Sequence, residues 1–112
     1  MSGKTCFNMI RQDIDINGYW KVIVVYDAYL GQKNTGFTYT DFNKRKSIVG
    51  ISDTTSQEQF FNTLTHEVKH LQSHICNYYN VDEDSEEAAY LTGYIVQQMH
   101  KVFKNMIGTG VI

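Results

Sequence analysis

Phe60-Phe61-Asn62-Thr63-Leu64-Thr65-His66-Glu67-Val68-Lys69-His70-Leu71 carries two patterns at once. The apolar residues Phe60, Phe61, Leu64, Val68 and Leu71, continued by Ile75, recur at helical spacing and form one stripe. Within the same run, His66-Glu67-x-x-His70 sets two imidazoles four residues apart, on one helix face and about one turn from each other. At about 100° per residue, both histidines project from nearly the opposite side of the apolar stripe. A core histidine would sit among the apolar residues, whereas these two face a polar cleft or a second element. Imidazoles stacked in this way can share a single Zn2+ ion, with Glu67 beside them as the base that works on a zinc-bound water.

Upstream, Asp53 to Ser56 offers several helix caps, and Thr55-x-x-Glu58 fits a capping box, so the active-site helix is predicted over about 55–78. A second helix is predicted over about 85–106, with Ser85 as N-cap and Ala88, Leu91, Ile95, Met99, Val102 and Met106 as its stripe. Gly93 in its middle costs about 1 kcal/mol relative to Ala, which suggests close packing there. The tail 108–112 reads as frayed.

The first half of the chain is β-rich. Residues 19–26 are β-branched and aromatic and read as a largely buried strand. Residues 36–42 alternate aromatic and small polar side chains, a strand with two different faces, and 47–52 form a further strand in which Gly50 marks a bulge or a close backbone approach. Residues 31–34 read as a loop and 43–46 as a charged turn; short connections imply an antiparallel meander. Residues 6–10 fit a short strand or a helical turn, and 13–18 a polar turn ending on Asn17-Gly18, a hairpin signal. The expected fold is α+β: a small antiparallel sheet of three to four strands packed on two helices.

At 112 residues the chain makes one domain, 1–112. A net charge of -2 argues against a nucleic-acid footprint, and Lys44-Arg45-Lys46 reads as a solvated turn. Cys6 and Cys76 are too few for a disulfide framework or a Cys-rich zinc site and read as free thiols in a reducing compartment. No segment has the length of a signal peptide or a membrane span, so the expected location is cytoplasmic, in a cell or a phage-infected cell, with no membrane partner. The oligomeric state is left open.

A catalytic zinc takes three protein ligands and leaves a fourth position to water. His74 continues the series of histidines but lies about 12 Å along the axis from His66, which suits a position lining the cleft better than ligation. Asp82, Glu83 and Asp84 read as a solvated loop favourable to the next helix. Glu86 and Glu87, 16 and 17 residues after His70, leave room for the first helix to end and a carboxylate to return, and the helical wheel does not separate them.

Residues 35–95 resemble a small zincin of the gluzincin type, such as the ImmA/IrrE-like and phage-encoded peptidases, in which H-E-x-x-H on one helix is completed by a Glu on the next. Glu86-Glu87-Ala88-Ala89-Tyr90 is similar to the E-x-x-A-(D/N) signature of that second helix, which makes Glu86 the ligand and Ala89 the small residue behind it. Tyr90 stands where those families commonly have Asp or Asn, and the absence of H-E-x-x-H-x-x-G-x-x-H excludes the metzincins.

The resemblance implies a zinc metallopeptidase acting on a peptide or protein substrate, with His66, His70 and Glu86 as ligands and Glu67 as general base. Tyr90, Tyr94, His74 and His100 are available to stabilise the oxyanion, and Tyr90, one turn beyond Glu86, is the best placed. The exposed edge of the sheet could pair with an extended substrate. The alternative is a zinc-binding interaction or structural phage protein without proteolytic activity. Eight tyrosines also admit a ligand- or partner-binding surface.

Overall fold

A computed structural model describes residues 9–27, 36–52 and 56–108, with the side chains of 11–26, 36–52 and 56–105. Its elements are β1 (Met9–Ile16), β2 (Trp20–Asp27), β3 (Gly36–Asp41), β4 (Lys46–Ile51), α1 (Gln57–Tyr79) and α2 (Glu86–Gly108). Cys6, the 31–34 loop, the Asp53 to Thr55 caps, the side chain of Met106 and the tail beyond 108 lie outside the described residues.

The four strands form one sheet in the order β1-β2-β4-β3. β1 pairs antiparallel with β2, and β3 antiparallel with β4, but β2 and β4 run parallel. The sheet is therefore mixed rather than the expected antiparallel meander. Inward-facing composition distinguishes β4 from β3. β4 turns Ser47, Val49 and Ile51 into the core, all fully buried, and suits a central position paired on both sides. β3 turns Gly36, Thr38 and Thr40 inward, small residues that bury little apolar area, and is left at the edge.

β1 extends through residues expected to form a turn. Its period-two pattern alternates exposed Asp13 and Asp15 with buried Ile14 and Ile16, so the charges lie on the open face of a strand. The turn begins at Asn17-Gly18, both with positive φ (51° and 81°), as a tight hairpin requires. Both helices pack on one face of the sheet. Trp20, Val22, Val24 and Tyr26 are consequently buried while Lys21, Ile23 and Val25 face outward, and β2 is half-buried rather than largely buried.

Ser56 caps α1 by accepting a hydrogen bond from the Gln59 amide at 3.0 Å. Phe60, Leu64, Val68, Leu71 and Ile75 are buried against the sheet and α2, each contributing about 1.5–3 kcal/mol of transfer free energy. Phe61 stands at the margin of this stripe, exposed and edge-on to Phe103. Asn80, with φ 57°, ends the helix in the left-handed region. Ser85 caps α2 by accepting from the Ala88 amide at 3.1 Å. Ala88, Ile95, Met99 and Val102 form the buried stripe of α2, with Leu91 packed beside it. Gly93 lies on the opposite, exposed side, where a Cβ would meet nothing within 4 Å. Close packing does not explain this glycine.

Candidate metal centre

α1 presents His66 and His70 to solvent, with their Nε2 atoms 3.2 Å apart and ring centroids 4.9 Å apart. Two nitrogens at the usual zinc distance of about 2.0–2.1 Å, in a tetrahedral arrangement, would themselves be about 3.3 Å apart. The pair therefore already has the bite of two ligands to one ion. One residue further round, Glu67 turns toward β3 and is 5% exposed. Its Oε1 accepts a hydrogen bond from Thr38 Oγ1 at 2.7 Å, which holds the carboxylate in one orientation against β3.

β3 comes this close to α1 because of what it lacks. A Cβ at Gly36 would lie 2.9 Å from Thr63 Cγ2, 3.0 Å from the Gly50 carbonyl oxygen and 3.2 Å from Glu67 Cγ. Gly50 itself pairs in unbroken register with Phe37 and Val25, so it marks no bulge. Two residues apart on the same face of β3, Thr38 meets Glu67 and Thr40 meets His74. The aromatic side of β3 faces outward instead, with Phe37 38% and Tyr39 62% exposed.

His74 is half-buried and faces β3. Its Nδ1 lies 2.7 Å from Thr40 Oγ1, which is 2.7 Å from Ser47 Oγ, which accepts from Trp20 Nε1 at 3.0 Å. A chain donating in one direction, from Trp20 to Ser47 to Thr40 to His74, satisfies every member and leaves Nδ1 as an acceptor on neutral imidazole. Burial, and secondarily His70, holds the His74 imidazole below its ordinary value, in keeping with the neutral form. The network ties the motif-bearing helix to β2, β3 and β4.

The carboxylates of the following segment go elsewhere. Asp82 accepts from the Asp84 amide at 3.0 Å, and its carbonyl accepts from Ser85. Glu83 pairs with Lys69 at 3.0 Å, and hydrogen bonds from Ser73 and Lys69 hold it below the usual carboxylate range. Glu86 is exposed and lies two residues, about 200° round α2, from fully buried Ala88. It therefore stands on the outer face of the helix, with Tyr90, 73% exposed, one turn beyond it. Tyr90, Tyr94 and Glu87 line a separate cleft whose wall includes none of His66, Glu67 and His70. His100 is exposed on the same helix.

The structure sets the His66 and His70 imidazoles against each other and ties Glu67 and His74 to β3 through Thr38 and Thr40, while Glu86 stands on the outer face of α2 and Tyr90 lines the separate cleft. Among the described residues, no group of three or more His, Cys, Asp or Glu side chains is arranged to hold a metal ion. Two ligands fit zinc; a third is not contributed in this arrangement. The sequence reading missed Thr38, Thr40 and Gly36 as site residues, although their alternation as small residues along one strand face was visible in it. Among the described residues, no helix is long and apolar enough to cross a membrane. The one described cysteine, Cys76, is a free, buried thiol. Comparisons with protein-family models, with curated proteins and with solved structures returned no significant match.

Proposed function

We propose that this chain is a zinc-dependent hydrolase of peptide bonds. The observation that carries the reading is the 3.2 Å spacing of the His66 and His70 Nε2 atoms, with Glu67, the residue after His66, held in one orientation by Thr38. His66 and His70 would hold the ion, and Glu86 is the carboxylate that the zincin resemblance assigns to complete its ligand set. When bound, zinc supplies Lewis acidity that brings the pKa of water toward neutrality and polarises a scissile carbonyl. Glu67 would be the residue that accepts a proton from water and returns it to the leaving amine. Thr38 is a positioning residue, because it acts through Glu67. β3 is an edge strand, so an extended peptide has main-chain groups to pair with next to the histidines.

A second reading, a zinc-binding protein that does not cleave peptides, is favoured by the outward position of Glu86 and the burial of Glu67. Native mass spectrometry of untagged protein after zinc reconstitution, combined with a peptide-library digest, separates the two. The peptidase reading expects near one zinc per chain, lost in His66→Ala and His70→Ala, and cleavage abolished in Glu67→Gln with zinc retained. Loss of zinc in Glu86→Gln would identify Glu86 as the third ligand. Zinc bound at full occupancy without cleavage of any library peptide supports the second reading, and no zinc in the wild type overturns both.

A further inference from the structure

Between the C-terminal turn of α1, the first turns of α2 and the β1–β2 turn lies a cleft of about 730 Å³. That volume suits a small organic ligand. Its walls carry four tyrosines, Tyr19, Tyr79, Tyr90 and Tyr94, over an apolar floor that includes Ile75 and Leu91, with Glu87 at the side. Tyr19 and Tyr79 meet edge to face at 5.4 Å within this wall.

The charge of this wall has one sign. The titratable groups lining the cleft, the four phenols, the Cys76 thiol and Glu87, are all acids, and no Lys, Arg or His is among them. Burial pushes the Tyr19 phenol up, and Tyr79, Cys76, Glu87 and Tyr94 push it further in the same direction. Lys69, whose charge is felt at Cys76, is tied to Glu83 at 3.0 Å and is not part of the lining. α1 ends here with no basic residue in its last turn, so the negative end of its dipole faces this region. The positive end of α2 lies nearby but is already offset by Glu86 and Glu87 in its own first turn.

We propose that this tyrosine cleft binds the alkylated ammonium group of a small organic cation, held by the faces of the tyrosine rings and balanced by the Glu87 carboxylate. An alkylated ammonium carries its charge on an apolar surface. It is therefore attracted to aromatic faces at little desolvation cost and matches a wall that is both apolar and acidic. The site is independent of the histidine pair, which lies outside the cleft.

Calorimetric titration of the full chain with choline, and in parallel with its neutral isostere 3,3-dimethyl-1-butanol, tests the assignment. Choline should bind saturably and the isostere about tenfold more weakly, since the two differ in charge and hardly in shape. Glu87→Gln, at an exposed position that leaves the core intact, should weaken choline binding several-fold, and Tyr94→Leu, checked for folding by circular dichroism, should do the same. His66→Ala should leave it unchanged. Equal binding of choline and the isostere, no choline binding at tens of millimolar, or full affinity in Glu87→Gln would each overturn the proposal.

Discussion

Replacing glycine by alanine at two positions of this chain should have opposite effects. At Gly36 the added methyl would sit 2.9 Å from Thr63 Cγ2 and 3.0 Å from the Gly50 carbonyl oxygen. Neither neighbour can yield easily: Thr63 is β-branched and buried, and the Gly50 oxygen belongs to a central strand of the sheet. Relief requires β3 to move away from α1, an overpacking that costs about 1–3 kcal/mol. At Gly93 the same methyl enters open space on a helix, where Ala is preferred by about 1 kcal/mol. For a domain near this size, 1 kcal/mol corresponds to about 4 °C in Tm. Gly36→Ala should therefore melt about 4–12 °C below wild type and Gly93→Ala about 4 °C above it. Thermal melts by circular dichroism, with urea titrations followed by the fluorescence of buried Trp20, measure both. A Gly36→Ala variant as stable as Gly93→Ala would refute the close approach of β3 to the motif helix, and with it the orientation of Glu67.

Thr38→Val removes the hydroxyl that donates to Glu67 Oε1 and should destabilise the fold by about 1–3 kcal/mol, whereas Thr38→Ser retains the donor and should lose less; equal urea midpoints for the two would show that the bond contributes nothing. His74 is held below its ordinary value of 6.5, so the folded state favours the neutral ring and binds fewer protons than the unfolded chain in that range. Stability should accordingly fall as pH is lowered through that value, and urea midpoints of His74→Gln should lack this part of the acid loss. If the wild type and the variant lose stability in parallel, the imidazole is not buried as described. The zinc stoichiometry of the His66→Ala and His70→Ala variants and the choline titration test the two candidate sites.

Local pattern was sufficient to reveal much of this protein. The 3.6-residue spacing of Phe60, Leu64, Val68, Leu71 and Ile75 dictates a helix whose opposite side carries His66 and His70, because side-chain direction in a helix depends on backbone geometry alone. Ser85 as a cap and Asn17-Gly18 as a turn are likewise local chemistry, and both stand where their side chains predict. Strand partners are not local. The parallel pairing of β2 with β4 joins elements distant in the chain and is settled by how they pack together. For the same reason the aromatic face of β3 turned out to be the exposed one: the inner side is set by how closely Gly36, Thr38 and Thr40 can approach α1. The motif alone specified two imidazoles and a carboxylate. Tertiary structure decided that Thr38 orients that carboxylate, that His74 is tied through Thr40 and Ser47 to Trp20, and that Glu86 stands on the outer face of α2. Each of these depends on the rotation of one element against another, which core packing determines and short-range sequence does not encode.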